Sequence, residues 1–132
     1  MRLRYHPDDN SLRLTRDAGG DVPAHQLGLP GLVDVGEGGR LVGVELHAAP
    51  GLDLARALAP WRGDRVAAEY VSVDDATAYI ELSAPEEASL REQTRAAAAL
   101  LAVELDESGA LVALSIPRRG AGYEISYPSG NQ

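Results

Sequence analysis

The chain has 132 residues, enough for one ordinary domain that buries about two thirds of the surface its unfolded form exposes. Its net charge of −8 argues against nucleic acid and anionic membrane as partners, because phosphate binding needs clustered Lys and Arg. Cysteine is absent, which excludes disulfides, thiolate metal sites and a cysteine nucleophile.

All twelve basic residues are arginine, and with abundant Ala, Gly, Leu and Val this usage suggests a GC-rich bacterial genome. The opening Met1-Arg2-Leu3-Arg4-Tyr5 lacks the apolar core of a signal peptide. No apolar run approaches the roughly 18 residues of a membrane helix. A soluble, cytoplasmic protein is expected.

Leu3 to His6 reads as a short strand, stopped by Pro7 and the turn formers Asp8, Asp9, Asn10 and Ser11. Leu12-Arg13-Leu14-Thr15 alternates and returns antiparallel, giving a first hairpin over residues 2 to 16. Asp17 to Asp21 is a polar turn. Val22 to Leu29 is weakly patterned and reads as an irregular extended segment, with Pro23 confining it to a sheet edge. Pro30-Gly31 then leads into a second hairpin.

That hairpin, residues 33 to 46, carries the clearest pattern in the chain. Val33 and Val35 face one way and Asp34 the other; then Val42, Val44 and Leu46 alternate with Gly43, Glu45 and His47. The acidic, glycine-rich turn between them, Gly36 to Gly39, joins two strands and precedes no helix, so it is not a phosphate loop. After His47, Leu52, Leu54, Ala55, Leu58 and Ala59 follow helical spacing, and Pro60 closes a helix of about two turns. Trp61 to Asp64 is a turn. Trp61, the only tryptophan, is expected to cap the core, with an exposed interface anchor as the alternative.

The pattern then returns. Glu69 to Val73 and Ala78 to Leu82 flank a turn at Asp74-Asp75-Ala76-Thr77, with Asp8 matching Asp74, Leu12 matching Ala78 and Leu14 matching Ile80. Residues 103 to 116 repeat the second hairpin: Gly39 matches Gly109, and Leu41-Val42 matches Leu111-Val112. Val103, Leu105, Val112, Leu114 and Ile116 point in, while Glu104, Ala113 and Ser115 point out. Asp106 to Gly109 suits a type I turn closed by a glycine at positive φ. Self-similarity over about 65 residues implies a duplicated supersecondary unit.

Residues 86 to 100 divide the evidence. Their alanines and glutamates are strong helix formers, yet the matching segment of the first copy holds Pro23, Gly28, Pro30 and Gly31. The repeat therefore favours an extended conformation for Leu90 to Arg95. The tail from Gly122 to Asn131 is a further strand and turn that echoes the opening.

The expected fold is mainly β, α+β at the margin. It has two repeated antiparallel β-hairpin units sharing one core, with one or two short helices. One compact unit, 1 to 132, would divide into copies 1 to 64 and 65 to 132. Leu3-Arg4-Tyr5-His6-Pro7-Asp8-Asp9-Asn10-Ser11-Leu12-Arg13-Leu14, then Leu32-Val33-Asp34-Val35 and Gly39-Arg40-Leu41-Val42-Gly43-Val44-Glu45-Leu46, resembles the bacterial family known as domain of unknown function 2283. Residues 3 to 47 carry that pattern and residues 70 to 116 a degraded copy. Ser72-Val73 stands where Asp-Pro is usual, and Ala113-Leu114-Ser115 where Gly-Ile-Glu is usual. The resemblance implies a small β-rich fold and supplies no catalytic residues.

Asp34, Glu45 and His47 are the ligand-binding candidates. A histidine with two carboxylates on one strand face could hold a divalent ion, but the second copy has Ser115 and Pro117 where Glu45 and His47 stand in the first. His6, Asp8 and Asp9 form a second polar cluster, which turn chemistry explains. No catalytic residue, cofactor site or metal site is assigned, and no serine lies in a Gly-x-Ser-x-Gly elbow. The function expected is a non-enzymatic interaction or scaffold module. Its partner would be a protein, or a further copy of the chain, at a sheet edge, with no nucleic acid and no membrane. The alternative is a small metal- or ligand-binding protein, or an enzyme, using Asp34, Glu45 and His47.

Overall fold

The computed structural model describes residues 2–15, 22–50, 52–63, 71–74, 76–82 and 95–126. The architecture is mainly β: one curled, half-barrel antiparallel sheet of eight strands, with one α-helix among the described residues. In chain order the strands are β1 (Arg2–His6), β2 (Ser11–Thr15), β3 (His25–Val35), β4 (Leu41–His47), β5 (Val71–Val73), β6 (Thr77–Glu81), β7 (Arg95–Leu105) and β8 (Leu111–Pro117). A separate small ribbon pairs β9 (Arg119–Gly120) with β10 (Tyr123–Glu124). Helix α1 spans Leu54–Gly63.

The strands lie in the order β1-β2-β8-β7-β3-β4-β6-β5. The long strands β3 and β7 pair along their whole length at the centre, His25 with Leu105 through to Val35 with Arg95. Each hairpin that ends the sheet attaches across the chain: β2 pairs with β8, and β6 pairs with β4. Helix α1 packs against both β8 and β5. In a flat sheet those two strands would stand roughly 24 Å apart, beyond the reach of a helix about 10 Å wide. The curl brings them around it.

The buried stripe of α1 is Leu54, Ala57, Leu58 and Trp61, the i, i+3, i+4, i+7 set of one helix face. Asp53 starts it, its carboxylate accepting the Arg56 N–H at 3.2 Å. Trp61 is fully buried and its indole N–H donates to the Leu111 carbonyl at 2.8 Å. It joins Leu12 and Leu14 of β2, Val33 of β3, Val44 of β4, Ile80 of β6 and Leu101 of β7 in one apolar cluster. The expected register of the two long hairpins holds, with Val44, Leu46, Leu114 and Ile116 on the buried face.

Five expectations need correction. Residues 25 to 29, expected in an irregular edge segment, belong to a central strand that runs on to Val35, with Pro23 just before it. Pro30 is tolerated there because pairing with β4 begins only at the next residue, Gly31, so its missing N–H faces no complete ladder on that side. Pro60 does not close the helix, which continues through Trp61 to Gly63; the buried indole and its hydrogen bond hold that last turn. Ala55 and Ala59 lie on the exposed side of α1, because the stripe runs through Ala57 and Trp61 instead. Val112 is only half-buried, since a bulge sets Glu104 opposite Ala113 and Leu105 opposite Leu111, leaving it as the extra residue. Ala113, expected to face water, is fully buried in the outer layer beside Glu104 and Thr15.

Residues 95 to 100 are extended despite their run of alanines, because pairing with β3 overrides a modest helix propensity. The expectation for Leu90 to Thr94 lies outside the described residues, as does that for Asp17 to Asp21. The tail strand appears as β10, tied to the first long hairpin by the Ser126 N–H donating to the Gly39 carbonyl at 2.8 Å.

Candidate site on the outer sheet face

The alternation that buries Val33, Val44 and Ile80 places Asp34, Glu45 and Tyr79 on the opposite, outer face. Register fixes the grouping: Asp34 is the partner of Gly43, and Glu45 is the partner of Tyr79. The Tyr79 hydroxyl donates to Asp34 Oδ2 at 2.7 Å. The ring reaches across strand β4 because residue 43 has no side chain; a Cβ there would stand 2.0 Å from Tyr79 Oη. Next to it, His47 Nε2 and Glu45 Oε2 are 2.9 Å apart, both partly exposed.

The three candidate ligands therefore fall into two pairs. Asp34 is held by a phenol, and Glu45 is held by the histidine two residues along its own strand. Among the described residues no group of three or more His, Asp or Glu side chains is arranged to hold a metal ion. Tyr79 was not singled out from sequence. Its outward position follows from the Ala78-Tyr79-Ile80 alternation, but the pairing of β6 with β4, which sets it over Asp34, has no local signal.

The other flank of the face has a second pair that sequence reasoning missed. Arg13 of β2 makes an ion pair with Glu104 of β7. It crosses β8 beside Ala113, as Tyr79 crosses β4 beside Gly43. Between the two flanks the face is apolar. Pro30, Leu32, Ala96, Ala98, Leu100 and Ala102 line the middle of β3 and β7 on this side, and Leu100 is 66% exposed.

A third polar group surrounds the β9–β10 ribbon. Arg118 stacks 5.5 Å from the Tyr5 ring, and the Tyr5 hydroxyl donates to Asn10 Oδ1 at 2.9 Å. Arg119 donates to Glu124 Oε2 at 2.7 Å, which holds the Glu124 carboxyl below its ordinary range. Burial pushes the Tyr123 phenol up, and its hydroxyl donates to the Pro117 carbonyl at 2.8 Å. His6 is exposed and Asp8 and Asp9 lie in the β1–β2 turn, where Asp9 accepts the Ser11 hydroxyl at 2.7 Å.

Among the described residues, three surface depressions have loop residues in part of their lining. One, of about 330 Å³, lies among Val35, Gly36, Gly39, Arg95 and Glu124. One of about 310 Å³ lies between Leu52, Arg56 and Gly109, and one of about 740 Å³ between Pro23 and the Asp106–Ser108 turn. His6, Glu45 and His47 line none of these three. No described helix is long and apolar enough to cross a membrane. Comparison with protein-family models, with curated proteins and with solved structures finds no match to this chain.

Proposed function

We propose that this protein is a non-catalytic interaction module whose binding surface is the outer face of the curled sheet. The observation that carries the reading is the apolar midline of that face. Catalytic and small-ligand sites are concave and gather polar groups, whereas here the concave side of the sheet is filled by Trp61 and its neighbours. Apolar side chains left together on a smooth face mark a contact surface. The sheet also ends in β1 and β5, whose outer flanks pair with no other described strand. Edge addition is the poorer route, because β5 is three residues long and β1 carries Arg4, features that discourage further pairing.

The same reading includes an internal duplication into copies 1 to 64 and 65 to 132. The strand order reads the same in both directions once β1 is exchanged with β5, β2 with β6, β3 with β7 and β4 with β8. Matching bonds support it: the Gly39 N–H donates to Gly36 O as the Gly109 N–H donates to Asp106 O, at 3.1 and 3.0 Å. Gly39 and Gly109 share a positive φ, 84° and 88°. The resemblance to domain of unknown function 2283 belongs to this proposal too and rests chiefly on residues 3 to 47.

Site-specific photo-crosslinking in the cell that makes the protein tests the reading. A crosslinking side chain at position 100 should give a discrete protein adduct. One at position 107, in the exposed hairpin turn, should not. Adducts from position 72, on edge strand β5, and none from 100 would move the surface to the edge. Adducts from no position would contradict the module reading.

A further inference from the structure

We propose that this protein binds a small oxyanion, a carboxylate or a phosphate, in the depression at the end of the central strand pair, with Arg95 as its anchor. The site is separate from the outer face and goes beyond the interaction-module reading. Val35 and Arg95 are the last register partners of β3 and β7, so both project on the concave side of the sheet. The apolar cluster that fills the middle of that side ends here, with Val35 buried and Arg95 exposed. The depression beyond them is lined by Val35, Gly36, Gly39, Arg95 and Glu124. At about 330 Å³ it stands at the small end of the range for ligand pockets.

Three pieces distant in sequence build its walls, and hydrogen bonds hold them together. The β3–β4 loop closes on itself, the Gly39 N–H donating to Gly36 O at 3.1 Å. The β9–β10 ribbon lies against that loop through the bond from Ser126 to Gly39. Their approach is close because residue 39 has no side chain: a Cβ there would stand 2.9 Å from the Glu124 carbonyl oxygen. Arg95 reaches the ribbon and donates from one terminal nitrogen to Gly122 O at 2.7 Å. That bond orients the guanidinium but is made to a neutral acceptor, and no described carboxylate pairs with Arg95. A positive charge is thus fixed in the wall of a depression without a counter-charge of its own.

Glu124, the acid in the lining, does not supply one. Its Oε2 accepts from Arg119 at 2.7 Å and lies 3.7 Å from Arg118. Among the described side chains here, three guanidiniums therefore stand against one carboxylate, a local positive excess in a chain of net charge −8. An anion on Arg95 balances it. One nitrogen of the guanidinium serves Gly122; the remaining N–H donors of its planar fork match the paired oxygens of a carboxylate or phosphate. The other long hairpin shows the contrast. Its loop has Asp106 where this one has Gly36, and that carboxylate accepts from Ser108 and Ala110 of its own loop. Gly36 brings no carboxylate to the corresponding place.

Amide-resolved NMR of the purified full chain tests the proposal, by titration with inorganic phosphate and separately with acetate, NaCl keeping the ionic strength constant. The expected result is a saturable shift with a Kd of about 1–10 mM for at least one of the two, centred on the amides of Gly36, Gly39, Arg95 and Gly122. The anion that binds more tightly names the source, a phosphate ester or a carboxylic acid. Arg95→Gln should abolish the saturable shift, and Arg56→Gln, which removes an exposed arginine of α1, should leave it unchanged. Arg95 is exposed, so its variant should melt as the wild type does, which separates loss of the site from loss of the fold. Saturation by neither anion would overturn the proposal, as would a shift that survives Arg95→Gln or that Arg56→Gln also removes. Shifts spread over the surface arginines without a focus at the depression would also overturn it, showing an adventitious ion only. Crosslinking from position 100 reads the outer face independently of all these outcomes.

Discussion

Tyr79–Asp34 and Arg13–Glu104 occupy corresponding places on the two flanks of one sheet, yet they are different chemistry. Each joins an outer hairpin strand to a carboxylate on a central strand, across the strand between. On one flank that strand offers Gly43, and the phenol settles onto bare backbone as a neutral donor to a carboxylate. On the other it offers the buried methyl of Ala113, and a long guanidinium side chain reaches across to make an ion pair. The hairpin loops differ in the same way. Both close with the same backbone bond to a glycine of positive φ, but only Asp106 adds a side-chain cap, accepting from Ser108 N–H, Ser108 Oγ and Ala110 N–H, where the first loop has Gly36. Inside, Leu101 fills space that Gly31 leaves open: a Cβ on Gly31 would lie 2.6 Å from Leu101 Cδ1 and from the Glu45 carbonyl. The two flanks of the sheet thus carry unlike side chains, each pair fitted to its own volume.

The largest effects are expected at the buried core of each flank. Val44 and Leu114 are both fully buried, and either replaced by Asp should leave the chain unfolded by circular dichroism, because an unpaired carboxylate would be buried. A folded Val44→Asp variant would mean the face assignment is wrong for that half.

The next largest effect lies where the halves interlock. Leu101→Ala should destabilise by about 2–5 kcal/mol in urea titrations. Gly31→Ala should cost at least about 1–3 kcal/mol, since the new methyl meets backbone as well as a side chain. In the Leu101→Ala background the Gly31→Ala penalty should shrink, giving a coupling that a double-mutant cycle reads directly. Additive penalties would show that the two positions do not share one volume.

A smaller effect separates the flanks. Gly43→Ala should displace Tyr79 and remove its bond to Asp34, at a cost of about 1 kcal/mol, and Tyr79→Phe should then add little. The loss should hardly depend on salt, whereas that of Arg13→Met, on the ion-paired flank, should fall as salt rises.

The smallest effect is the acid limb of the stability curve. Hydrogen bonds from the Ser108 hydroxyl and the Ala110 N–H lower the Asp106 pKa from 3.8; those from the Thr77 and Ala76 N–H groups lower that of Asp74. A depressed folded pKa stabilises above the unfolded value and loses that stabilisation as pH falls through the folded one. Thermal melts should therefore worsen below about pH 4. Asp106→Gly, which makes the second loop like the first, should flatten that limb.

Much of the strand grammar was legible because period two is a local signal. Val33 to Leu46 and Val103 to Ile116 carry their register in consecutive residues, and so do the turns at Asp74 and Asp106. What the chain conceals is which hairpin meets which. Nothing near Leu14 specifies Leu114, and nothing near Ile80 specifies Val44. The same gap hid Tyr79 and Arg13 as members of the outer-face pairs. Residues 25 to 31 were misread because Gly28, Pro30 and Gly31 look like loop punctuation. They are tolerated in a central strand only because Leu101 fills the space over Gly31 and β4 stops beside Pro30. Pro60 misled for a related reason, its local signal being overridden by the burial of the next residue.

The central structural claim is that each half completes the sheet of the other, with Trp61 of the first bonded to Leu111 of the second. Fragments 1–64 and 65–132, purified separately and mixed, test it most directly. Each alone should lack a sheet signal, and Trp61 should emit as an exposed indole. The equimolar mixture should recover the sheet spectrum, a blue-shifted Trp61 and a single cooperative melt. A fragment 1–64 that folds by itself with Trp61 already buried would contradict the claim.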